Sequence, residues 1–174
     1  MARHVWDTTA AEGLSRWLFY APEGDEAALR RWLPGAARYC RQATAEDLGQ
    51  RLSHAFSLAF DAGASRVAVI GTDLPGLTGG LLEEAFDALE SDPAVLGPSA
   101  DGGFWLLGLR KPVRADFSGV EWGTPRAAEG MLRNLRSAGL SVAMAQELVD
   151  VDTEDDLRLF PALVALADSI REIS

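Results

Sequence analysis

Between Val67 and Leu109 the chain reads VAVIGTDLPGLTGGLLEEAFDALESDPAVLGPSADGGFWLLGL, and no other stretch constrains the fold as strongly. It holds two continuous apolar runs, Val67 to Ile70 and Phe104 to Leu109. An acidic, glycine-bearing turn borders each: Gly71-Thr72-Asp73-Leu74-Pro75 follows the first and Asp101-Gly102-Gly103 precedes the second. Short apolar runs closed by turn residues read as strands buried on both faces. Between them Thr78 can cap a helix whose inner face is Leu81, Leu82, Ala85, Phe86 and Leu89, broken at Asp92-Pro93. In open α/β sheets ligands bind beyond the carboxyl ends of the strands. Asp73, three residues past Ile70, is therefore the first candidate for a working residue.

The rest of the chain alternates in the same way, which predicts one α/β domain over residues 1–174 with a mostly parallel sheet flanked by helices. Strands are expected at 17–21, 94–97, 104–109 and 141–145, with a short edge strand near Tyr39 and Cys40. Helices are expected at 25–33, 45–62, 125–138 and 153–172, the second ended by Gly63 and the last bent at Pro161. Pro112 to Glu121 reads as an irregular connection.

The formal charge is −10, and the cations are fifteen arginines and one lysine, Lys111. An acidic chain without a basic run is a poor nucleic-acid binder. A bound diphosphate would need its charge met locally, by a divalent ion, a few arginines and backbone N–H groups. Cys40 is the single cysteine, which excludes an intramolecular disulfide and a cysteine-based zinc cluster. No apolar run has signal-peptide or membrane-span length, so a cytoplasmic protein is expected.

Four motif groups occur in order: Gly71-Thr72-Asp73-Leu74-Pro75; Leu96-Gly97-Pro98 with Asp101-Gly102-Gly103-Phe104; Trp122-Gly123-Thr124; and Asp150-Val151-Asp152-Thr153-Glu154-Asp155. Together they resemble a bacterial GT-A-like family of glycosyltransferases, some linked with arsenosugar biosynthesis, related to the phospholactate and molybdenum-cofactor guanylyltransferases. The resemblance runs from about Val5 to Leu157. It implies a nucleotide-diphospho-sugar transferase fold, a nucleotide sugar or nucleotide with a small acceptor as partners, and Mg²⁺ or Mn²⁺ as cofactor. Transfer of a glycosyl group is the leading expectation, with nucleotidyl transfer to a phosphorylated small molecule as the alternative. A ligand- or partner-binding member without activity is the third reading.

Each candidate residue carries two readings. Asp73 is either a metal-binding carboxylate or an Asx turn into Pro75. Asp101 is either a general base that orients the acceptor or part of a tight turn; Gly102 and Gly103 either admit a sugar or supply positive φ. Asp150 and Asp152 flank Val151 and point one way in an extended segment, which can complete a metal site, yet Asp152 also suits a helix start. Trp122 either stacks on a sugar or anchors the core, and Thr124 either lines the acceptor loop or caps the next helix. Gly71 and Thr72 belong to the substrate-binding turn that the resemblance implies. Gln42, Leu48-Gly49 and Arg51 also match the family pattern, with Arg51 either reaching a phosphate or solvated. His4 and His54 have no ligand-spaced partners.

Members of the resembled family open with a strand and a glycine-containing loop with lysine and arginine. Here Val5 to Gly13 reads as the end of the helix that follows such a loop and no such strand or loop precedes it, so the expectation is a truncated product, a mis-set start codon or a member that has lost the loop. The consequence would be marginal stability, self-association through a strand edge and little activity.

Overall fold

The structure is a computed structural model that describes residues 1–10, 13–21, 23–44, 47–111, 115–151 and 160. In chain order its elements are α1 (Ala2–Thr8), β1 (Trp17–Tyr20), α2 (Glu26–Trp32), β2 (Arg38–Arg41), α3 (Leu48–Asp61), β3 (Arg66–Ile70), α4 (Gly79–Ser91), β4 (Ala94–Pro98), β5 (Phe104–Arg110), α5 (Ala127–Ser137) and β6 (Val142–Met144).

Local chemistry sets most of these boundaries. The Asp25 carboxylate accepts the Ala27 and Ala28 N–H groups and starts α2, and Thr78 accepts the Leu81 N–H at the start of α4. Asp47 accepts the Gln50 N–H, so α3 begins at Leu48 and not at Ala45 as expected. It ends at Ala62 because Gly63 turns the chain at φ +98°, a conformation that costs other residues their Cβ clearance. At the amino terminus α1 ends at Thr8, earlier than the expected Gly13. The expected helix at 153–172 lies outside the described residues apart from Phe160.

β3, β5, β4 and β6 form one sheet in that order. β5 runs antiparallel to both neighbours, while β3, β4 and β6 share a direction, so the frame is parallel with one reversed strand inserted. Register places Val67 opposite Leu109 and Ile70 opposite Leu106, and Ala94 opposite both Leu109 and Val142. β1 and β2 pair in parallel as a separate two-stranded sheet. Among the described residues β1 pairs only with β2 and β3 only with β5.

Each face of the larger sheet carries its own core, as strands buried on both sides require. On one face Val5 of α1 and Leu81, Leu82, Ala85 and Leu89 of α4 pack on Val95, Trp105 and Leu106. On the other, Phe56 of α3 and Met131 and Leu135 of α5 pack on Ala94, Leu96, Leu107 and Leu109. The result is a three-layer α/β/α domain, and among the described residues no helix is long and apolar enough to cross a membrane.

Candidate functional site

The candidate residues collect at one end of the larger sheet, where β3 and β4 finish and β5 begins. A segment from Gln146 to Val151 ties these ends together. Leu148 donates its N–H to the Pro98 carbonyl and accepts from Ala100, and Val151 donates to the Asp73 carbonyl at 3.0 Å. The backbone therefore brings Asp73 beside the Asp150-Val151 peptide, two positions separated by about half the chain.

Asp73 is exposed, and its carboxylate accepts no hydrogen bond from the described residues. The Asx turn into Pro75 is not made. Leu74 and Leu77, both almost fully buried, anchor the turn on either side of Pro75, so a charged side chain faces solvent on a firmly held backbone. Gly71 donates its N–H to the Trp105 carbonyl, and it and Thr72 are exposed. Asp150 is half-buried and already engaged in a polar or electrostatic contact. Asp152 lies outside the described residues.

Asp101 is exposed and its Oδ1 accepts the Gly103 N–H at 2.8 Å, so it caps its own turn. Its second oxygen takes no hydrogen bond from the described residues. Gly102 sits at φ +89°, and a Cβ there would collide with the Pro125 backbone; the Gly102 carbonyl in turn accepts the Ala128 N–H. The turn is thus docked on the start of α5. In the same turn Ser99 is buried, and its hydroxyl has no hydrogen-bond partner among the described residues.

Trp122 is half-buried and packs against the core formed by α3, α5 and the sheet. Its indole meets Phe104 edge-on at 6.1 Å and occupies the space that a side chain at Gly49 would take. Thr124 donates its hydroxyl to the Glu121 carbonyl and accepts the Arg126 N–H, just before α5. Both therefore shape the wall of the site. Arg51 and His54 are exposed on α3.

Sequence reasoning missed the contribution of Trp105 and the contact that Pro125 makes with Gly102. Trp105 looked like one more apolar residue in a strand, and its indole N–H carries no sequence signal until its partner, the Gln146 carbonyl, is known. Pro125 read as the end of the Trp122-Gly123-Thr124-Pro125 loop and the start of the next helix, with nothing local to show that its backbone meets Gly102.

Among the described residues no group of three or more His, Cys, Asp or Glu gathers in a metal-binding arrangement. Mg²⁺ and Mn²⁺ take oxygen ligands and commonly use one or two carboxylates together with substrate phosphates, so Asp73 and Asp150 are the residues here that could hold one.

Residues 5–124 match the family described as uncharacterized protein conserved in bacteria (DUF2064). The chain belongs to this family. A protein from Desulfovibrio desulfuricans G20, provisionally named a nucleotide-diphospho-sugar transferase, is 32% identical over 90% of this chain and 71% of its own, with a TM-score of 0.82. That likeness places the domain in the GT-A-like fold. CMP:2-keto-3-deoxy-manno-octonic acid synthetase, solved with CTP, shares the fold at 15% identity and a TM-score of 0.63 over 95% of this chain and 88% of its own. Rv0371c from Mycobacterium tuberculosis H37Rv, solved with manganese, does so at 20% identity and 0.51, over 90% and 82%. Comparison with curated proteins finds no significant match.

Proposed function

We propose that this chain is a metal-dependent transferase that moves a glycosyl group from a nucleotide sugar to a small acceptor in the cytoplasm. The observation that carries the reading is the Asp73 carboxylate past the end of β3, exposed and without a hydrogen bond from the described residues, its backbone held by Val151 beside Asp150. The D. desulfuricans relative supports the substrate class, and the manganese complex of Rv0371c supports the ion.

Asp73 and Asp150 would hold Mg²⁺ or Mn²⁺, which when bound offsets negative charge on a diphosphate leaving group. The Asp101 oxygen that takes no hydrogen bond from the described residues accepts the proton of the acceptor hydroxyl as the hydroxyl oxygen forms a bond to the anomeric carbon. The bond from that carbon to the diphosphate breaks, and the nucleoside diphosphate leaves. Gly71 and Thr72 border the donor, Gly102 docks the turn on Pro125 so that Asp101 and Gly103 face the sugar, and Trp122 and Thr124 back the acceptor wall.

Transfer of the nucleotide is the second reading, supported by the fold shared with a synthetase solved with CTP. Product analysis separates the two. With nucleotide sugars and Mn²⁺, released nucleoside diphosphate supports glycosyl transfer. Diphosphate released from nucleoside triphosphate and a phosphorylated acceptor supports nucleotidyl transfer. Nucleotide binding with neither product marks a ligand-binding member of the family.

A further inference from the structure

We propose that Trp105 is a positioning residue that sets where Asp150 stands relative to Asp73. The metal role of those carboxylates rests on the function proposed above; the positioning itself does not.

Trp105 lies in β5 and is 2% exposed. β4 separates β5 from β6, and the indole crosses it at Gly97. A Cβ at Gly97 would stand 2.5 Å from Trp105 Cε2 and 2.6 Å from Nε1, so only glycine leaves the passage open. Having crossed, Nε1 donates at 3.0 Å to the carbonyl of Gln146, just beyond β6. From that anchor the chain runs back across the sheet end, through the Leu148 bonds to Pro98 and Ala100, to the Val151 bond on Asp73. Asp150 is the residue before that last bond. The bare Gly97 surface and the indole N–H therefore act together: one lets the ring through, the other pins the start of the segment that bears Asp150. A phenyl ring at 105 would fill much of the space yet leave the Gln146 carbonyl unheld.

Trp105→Phe tests this by amide hydrogen exchange on the whole protein, with the Leu140 N–H of the α5 turn, bonded to Leu135, as a remote control. Loss of one hydrogen bond predicts roughly three- to tenfold faster exchange at Leu148 and Val151, with Leu140 unchanged. Mn²⁺ affinity, read from the spectrum of the free ion, should fall several-fold in the same variant. Exchange at Val151 that is unaltered, or that rises only in step with Leu140, overturns the proposal. If Trp105→Phe does not fold, benzothienylalanine at position 105 keeps the two-ring shape, replaces N–H by sulfur and is judged by the same comparison. A wild-type protein that binds no Mn²⁺ would end the metal reading, while the exchange comparison still decides the positioning.

Discussion

Gly102 and Pro125 are in backbone contact so close that no side chain fits between them. The turn holding Asp101 and the loop holding Trp122 and Thr124 therefore form one unit, although more than twenty residues separate them in sequence. Gly102→Ala should disturb both at once, because it adds a collision with the Pro125 backbone to a positive φ that L side chains rarely adopt. A loss of roughly 1–3 kcal/mol is expected in the denaturation midpoint. Wild-type stability in this variant would show that turn and loop separate freely.

Asp73→Asn should weaken binding of Mn²⁺ together with a nucleoside diphosphate, by about tenfold or more, and leave the melting temperature nearly unchanged. The carboxylate makes no hydrogen bond with the described residues, so removing its charge removes little from the fold. Calorimetric titration checks this, and equal affinity would take Asp73 out of the site.

Asp101→Ala should lower turnover far more than nucleotide affinity, since a base acts mainly in the transition state. The hydrogen bond to Gly103 is also lost, so a stability decrease of about 1 kcal/mol is expected beside it. Steady-state rates set against nucleotide titration distinguish the two effects. An unfolded variant would mean that the turn is this residue's whole task.

The hydroxyl of Tyr20 donates to Glu26 at 2.8 Å, and this bond, followed by the one from Arg30, holds the Glu26 carboxyl below its usual range. A depressed folded-state pKa contributes stability above the unfolded pKa, lost as pH falls through the folded value. The pair should therefore support the junction of β1 and α2 at neutral pH and release it on acidification. In Tyr20→Phe, carbon-detected titration should place the Glu26 midpoint higher than in wild type. An unmoved midpoint would assign the shift to Arg30 alone.

The outer edge of β3 has no strand partner among the described residues, and its Val67, Ala68, Val69 and Ile70 side chains, packed against the two cores, are only partly buried. Such an edge is a template for another strand. Sedimentation should show concentration-dependent self-association at micromolar protein. A monomer at every concentration would show that the edge is shielded.

The strands were legible because apolar runs such as Val67–Ile70 and Phe104–Leu109 carry the strand signal in their composition, and α4 because Thr78 announces its start. Asp73 could be located for the same reason, since a strand end is a place in sequence before it is a place in space. What the neighbouring segments do is not written locally. That β5 reverses between β3 and β4, that Asp47 displaces the start of α3, and that β1 and β2 stand apart all depend on pairings between distant residues. So do the docking of Gly102 on Pro125 and the burial of Trp122 against Gly49. The choice between working carboxylate and turn cap belongs to the same class: Asp73 and Asp101 carry identical side chains, and among the described residues an N–H group engages one oxygen of Asp101 and neither oxygen of Asp73. Composition and periodicity act over a few residues and determine the elements. Hydrogen bonds and close contacts act through space, so tertiary structure alone decided which of those elements meet at the site.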